Sequence, residues 1–156
     1  MADQQRAVRR VLSIDGGGIR GIIPALVLAH LERQMGAPAS ELFDLIVGTS
    51  TGGILALGLS LQDQQGTSLL AAKRMVALYE RHGPKIFERS LWRKLRTAGG
   101  LFEEAYSHEA LEKVLNQYFR DKRMGDCGTP VMVTSYDIER RKTCLLYTSP
   151  SPRDRH

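Results

Sequence analysis

A serine with glycines two residues to either side, Gly48-Thr49-Ser50-Thr51-Gly52, stands between two apolar runs. Phe43, Leu45, Ile46 and Val47 read as a short buried strand; Ile54, Leu55, Ala56, Leu57, Leu59 and Leu61 read as a buried helix. G-x-S-x-G at a strand-to-helix junction is a nucleophile elbow. The chain turns so sharply that the serine backbone is strained and its Oγ stands clear of the sheet. Gly48 and Gly52 are required because a Cβ at either would collide with the neighbouring strand and helix. A helix beginning at the serine also aims free N–H groups and its positive dipole end at any anion formed there. The pattern is short, and a Gly/Ser-rich turn without chemistry is its plain alternative.

A second glycine cluster weighs against that alternative. Val11-Leu12-Ser13-Ile14 reads as a strand, and Asp15-Gly16-Gly17-Gly18-Ile19-Arg20-Gly21 follows it directly. A helix then opens, with Ile22, Ile23, Leu26, Val27 and Leu31 at helical spacing and Pro24 in its first turn. Three consecutive glycines leave backbone N–H groups bare and approachable, which suits an oxyanion hole for acyl transfer. Gly16, Gly18 and Gly21 also satisfy the dinucleotide fingerprint G-x-G-x-x-G, which wants an acid at the end of the next strand. That strand ends in Gly-Thr-Ser, and Glu41 precedes it, so the nucleotide reading loses.

Strand–Asp-Gly-Gly-Gly-x-Arg-Gly–helix followed by strand–Gly-Thr-Ser-Thr-Gly–helix resembles the patatin-like phospholipase family. Leu91-Trp92-Arg93-Lys94-Leu95, the helix Ser107 to Tyr118 and the segment Val131 to Glu139 look like the family's later segments in order, so the resemblance covers about residues 8–143. It implies an α/β fold, a three-layer αβα domain with a mostly parallel central sheet. It implies a lipid acyl hydrolase working through a Ser-Asp dyad, with no histidine in the catalytic unit, and no cofactor is expected. Ser50 matches the nucleophile; Gly16, Gly17, Gly18 and Arg20 match the oxyanion loop; Asp15, Gly21, Gly48, Thr49, Thr51 and Gly52 complete the motifs. The family's catalytic Asp sits in a downstream Asp-Gly-Gly or Asp-Gly-Ala motif, and none follows Ser50 here. The carboxylate is therefore expected outside this chain, in a domain truncated at its C-terminus.

The C-terminus gives a reason. Cys144-Leu145-Leu146-Tyr147-Thr148-Ser149-Pro150-Ser151-Pro152-Arg153-Asp154 looks like a transposase-type sequencing adapter translated in register. Residues 144–156 are accordingly expected to be a non-native tail with no packed contacts. Ser-Pro-Ser-Pro cannot continue a central strand, although a disordered natural tail would share this composition.

Composition sets the outer bounds. The 156 residues carry 42% hydrophobic and 25% charged side chains, ordinary for a globular domain. No run of 18 or more apolar residues and no signal-peptide pattern is present, so a cytoplasmic protein is expected. Two cysteines and four histidines show neither disulfide nor metal-site spacing. The net charge of +5 gathers around residues 81–96, where Arg89, Trp92, Arg93 and Lys94 could meet an anionic membrane surface. A solvated helix face with Trp92 on the core is the stronger reading of that segment. Nucleic-acid binding fails, since Glu88, Glu103 and Glu104 interrupt the charge and no recognition motif accompanies it.

The remaining elements can be placed coarsely. Thr67 or Ser68 is expected to cap a helix ending at Gly83-Pro84, Ser107 to cap another, and Pro130 to open a strand. A Ser-His-Asp triad is the rival enzyme hypothesis, but His82 and His108 sit at helix ends, His30 within a helix and His156 in the tail. Asp44 should lie at the far end of the serine's strand, Asp137 should be structural, and Asp15 should anchor the glycine loop through hydrogen bonds. Arg20 would shape that loop or meet a lipid phosphate. A general esterase or thioesterase on the same elbow, and a catalytically dead binding module, remain alternatives.

Overall fold

The computed structural model describes residues 8–63, 65–86 and 104–148. A four-stranded sheet runs in the order β1 (Val11–Ile14), β2 (Leu45–Gly48), β3 (Val131–Asp137), β4 (Lys142–Tyr147). The first three strands are parallel and β4 is antiparallel, so the sheet is mostly parallel. Parallel neighbours require crossovers, and helices supply them. Between β1 and β2 a 3₁₀ turn, Gly18–Gly21, feeds α1 (Ile22–Met35), and the short α2 (Ala39–Leu42) follows. Between β2 and β3 come α3 (Thr51–Ser60), α4 (Ala72–Ile86) and α5 (Glu104–Phe119).

The core follows from the apolar runs. Ile46 on β2 and Val131 and Val133 on β3 meet Leu55, Ala56 and Leu59 of α3, and all six are buried. Met75, Leu78 and Tyr79 of α4 extend that cluster toward Ala25 and Leu28 of α1. Gly36, in the left-handed region at φ 64°, ends α1 where a side chain would be strained.

Three elements depart from the sequence reading. α4 starts at Ala72, not at a Thr67 or Ser68 cap. Its first N–H donates 2.8 Å to Glu32 Oε2, while Glu32 Oε1 accepts from Ala39 N–H at 2.9 Å. One carboxylate on α1 thus caps from across the fold, a partner local spacing cannot reveal. Thr67 instead belongs to a turn closed by Asp63, whose Oδ1 accepts the Gln65 and Thr67 N–H groups. At its other end α4 runs through Gly83-Pro84 to Ile86, because Pro84 removes only one bond in the last turn while the buried face packs. α5 likewise begins at Glu104, before Ser107.

The tail also differs from expectation. Cys144 to Tyr147 lie in β4, registered opposite Met132 to Ser135, and Thr148 Oγ1 accepts the Val131 N–H at 3.0 Å. The physical reason is local: Leu-Leu-Tyr-Thr has strand propensity, and the Ile138–Arg141 turn delivers it to an open edge whatever its origin. Burial is slight, with Leu145 and Leu146 about half exposed, so β4 adds backbone pairing more than core. Residues 149–156 lie outside the described residues, as does the basic segment with Arg89, Trp92, Arg93 and Lys94.

At the other edge, Val11 of β1 and Ile23, Leu26 and Val27 of α1 are exposed apolar side chains on adjoining elements, more than scattered surface residues require. The interior, by contrast, is tightly filled around α3. Leu55→Ala in the full-length protein should lower unfolding free energy by about 2–5 kcal/mol, read from urea midpoints. A loss below about 1 kcal/mol would mean that Leu55 is not a core residue.

Candidate active site

Ser50 is the second of two residues, after Thr49, that connect β2 to α3, with φ 51° and ψ −124°. For a residue with a Cβ this is a sparsely populated conformation, costing about 1–3 kcal/mol and held only by surrounding packing. Two glycines make the turn possible. A Cβ on Gly52 would overlap the Ile14 carbonyl oxygen, and one on Gly48 would overlap the Gly52 carbonyl. Ser50 itself is exposed, at the N-terminus of a helix whose other early residues are buried. The Thr51 N–H, first in that helix, has no acceptor among the described residues.

The glycine loop lies at the same end of the sheet. β1 pairs with β2 so that Ile14 stands beside Gly48, and the Thr49 N–H donates to the Ile14 carbonyl at 3.2 Å. Loop and elbow touch: a Cβ added to Gly16 would lie 2.7 Å from the Ser50 Cβ and 2.8 Å from the Thr49 carbonyl oxygen. The Gly16 N–H donates to Thr49 Oγ1 at 2.9 Å, and the Gly17 N–H to Thr51 Oγ1 at 3.2 Å. Gly18, at φ 59°, begins the 3₁₀ turn, and its N–H has no acceptor among the described residues. Two of the three glycine donors are thus occupied internally, and Gly18 keeps the loop's open one.

Asp15 does not anchor this loop as the sequence led us to expect. Its carboxylate is exposed and accepts no hydrogen bond among the described residues, because the threonines that bracket Ser50 already take the loop's N–H groups. Their position two residues apart around the serine was the available signal. Arg20 is exposed and lies over Gly17, with Nε 4.0 Å from where a Gly17 Cβ would be. Together with Gly16, Arg20 lines a cleft of about 450 Å³ whose other walls include Leu12, Ile14, Ile23 and Val27.

The other candidates lie apart. Asp44 accepts the Arg10 N–H at 2.8 Å, at the β-strand end away from Ser50. That bond, with Arg9 and Arg10 nearby, holds its carboxyl below the usual range. Asp137 is four residues beyond Val133, the partner of Gly48, or about 13 Å along the strand. Its Oδ1 accepts the Arg140 N–H at 2.9 Å within the β3–β4 turn. His82 packs edge-on against Tyr118 at 5.9 Å, and His30 Nδ1 lies 2.7 Å from Arg33 Nη2 on α1. Among the described residues no group of three or more His, Cys, Asp or Glu is placed to hold a metal.

The family model described as Patatin-like phospholipase matches residues 12–153. The chain belongs to that family. It is 38% identical over 146 residues to Patatin-T5 of Solanum tuberosum and 38% identical to Patatin-17 of Solanum cardiophyllum. Patatin-07 of Solanum tuberosum is 37% identical over the same length. Each alignment takes in 89% of this chain and 36% of the relative, so the chain spans little more than a third of those patatins. The α/β architecture with its mostly parallel sheet is that of a patatin-like αβα fold.

Two weak acids, the buried Tyr79 and the half-buried Cys127, make the fold sensitive to alkali. Burial pushes the Tyr79 phenol from 10.0 up to about 12, and burial, then nearby Asp126, pushes the Cys127 thiol from 9.0 up to about 11. Both groups stay protonated longer in the fold than in the unfolded chain. Their stabilising contribution is complete below pH 9.0 and is lost as pH rises toward 12. Urea midpoints of the full-length protein should therefore fall between about pH 9 and 11, and Tyr79→Phe should flatten the upper part of that fall. A flat profile would contradict the burial of both groups.

Proposed function

We propose that this chain carries the nucleophile and oxyanion-binding half of a serine lipid acyl hydrolase of the phospholipase A kind, cleaving ester bonds of phospholipids or other acyl lipids. The observation that carries the reading is Ser50: strained, exposed, at a helix N-terminus, and in contact with the glycine loop. A serine hydroxyl is a weak nucleophile at neutral pH and needs a base to take its proton as Oγ attacks the ester carbonyl. In our reading that base is an Asp carboxylate supplied by a part of the protein outside these 156 residues. The placement of Asp15, Asp44 and Asp137 favours this, since none accepts a hydrogen bond from Ser50. The oxyanion would receive the Gly18 and Thr51 N–H groups, each worth about 2.7–4 kcal/mol in the barrier. An acyl-enzyme forms on Oγ, the alcohol leaves with the proton, and water attacks the acyl carbon in turn.

The apolar lining of the cleft beside Gly16 suits a lipid acyl chain, and the exposed Arg20 at its wall suits an anionic head group. No helix among the described residues is long and apolar enough to cross a membrane, so the substrate would be met at a lipid surface. Contact of Arg89, Trp92, Arg93 and Lys94 with anionic lipid belongs to the same proposal.

The full-length protein should release fatty acid from phosphatidylcholine vesicles and turn over p-nitrophenyl esters. Ser50→Ala should remove essentially all of both activities; wild-type turnover by that variant would eliminate Ser50 as nucleophile. Ester cleavage without fatty-acid release would instead favour a general esterase. Residues 1–156 alone should show no turnover per mole, and equal turnover would place the base within the chain.

A further inference from the structure

A loop of glycines loses more backbone freedom on folding than any other sequence and has no side chains with which to hold its place. Here its place is set by hydroxyl groups. Thr49 and Thr51 bracket Ser50, and their Oγ1 atoms accept the Gly16 and Gly17 N–H groups at 2.9 and 3.2 Å. Thr51 is gripped from its other side as well, because the buried Tyr79 of α4 donates its O–H to the Thr51 carbonyl at 3.2 Å. The same tyrosine ring lies against the end of the loop's 3₁₀ turn: a Cβ on Gly21 would be 2.5 Å from Oη and 2.8 Å from Cζ. Thr51 therefore ties three pieces together, the glycine loop, the nucleophile turn and α4.

We propose that Thr49, Thr51 and Tyr79 are positioning residues, whose hydroxyls clamp the glycine loop to the serine turn. By occupying the Gly16 and Gly17 N–H groups, the clamp also selects Gly18 and Thr51 as the donors left for an oxyanion. Misplacing such donors costs transition-state stabilisation and leaves ground-state binding nearly intact. The proposal rests on the acyl-transfer reading above.

Thr51→Val keeps the side-chain shape and removes the acceptor, whereas Thr51→Ser keeps the acceptor. In the full-length protein, with active serines counted by a fluorophosphonate, Thr51→Val should lower kcat for a p-nitrophenyl ester by about tenfold or more. KM should stay within about twofold, the split expected when only the transition state loses a contact. Thr51→Ser should return most of the lost turnover, and Tyr79→Phe should lower kcat by about threefold or more. Amide hydrogen exchange at Gly16–Gly17 should quicken in Thr51→Val. Wild-type kcat per counted site in Thr51→Val, or Thr51→Ser as slow as Thr51→Val, overturns the clamp, since a purely structural threonine would change the number of folded sites and not their rate. Should Ser50→Ala retain activity, the hydrolase reading falls by itself; the clamp is then decided by the exchange rates, and unchanged rates in Thr51→Val overturn it.

Discussion

Where α3 begins, it passes so close to the end of β1 that there is no room for a Cβ on Gly52 beside the Ile14 carbonyl. That approach fixes much of the site. It brings the first turn of α3 against the strand preceding the glycine loop, so the loop has to leave β1 next to Ser50. It also leaves the chain only Thr49 and Ser50 in which to pass from β2 into the helix, and Ser50 takes the strained φ of 51°. The strain is sustained by burial, since Thr51, Gly52, Gly53, Leu55 and Ala56 are all enclosed while Ser50 is not. The Ser50 side chain is thereby held outward by elements that cannot relax without opening the core.

The parts of this arrangement that were legible in the sequence are the ones with local causes. The strands around Leu12 and Ile46 and the helix after Ser50 follow from apolar runs and from a turn whose backbone conformation suits few residues. The start of α4 was not legible, because its cap comes from Glu32, 40 residues away in sequence. Nor was the role of the threonines: sequence shows them beside Ser50, but only the fold shows that their hydroxyls face the loop. Asp15, adjacent to the glycines, looked like the anchor for the reason that adjacency is all a sequence displays.

β4 teaches a different lesson. Residues 142–147 place β-prone side chains after a turn at an open sheet edge, and that is enough to form a paired strand. β4 is less enclosed than its neighbour: Leu145 and Leu146 are about half exposed where Val131 and Val133 are buried.

The acids make the last point about the chemistry. A base for Ser50 has to stand at the carboxyl end of the parallel strands, within hydrogen-bond reach of Oγ. Asp44 is at the opposite end of β2, held by Arg10, and Asp137 has run past the elbow into a turn that consumes its carboxylate. Asp15 is at the right end, yet the loop carrying it is fixed by hydroxyls that point Gly16 and Gly17 toward the serine turn, with the Asp15 side chain left in solvent. The serine turn and the glycine loop are therefore held together by β1, β2, α3 and Tyr79 of α4, while none of Asp15, Asp44 and Asp137 is hydrogen-bonded to Ser50.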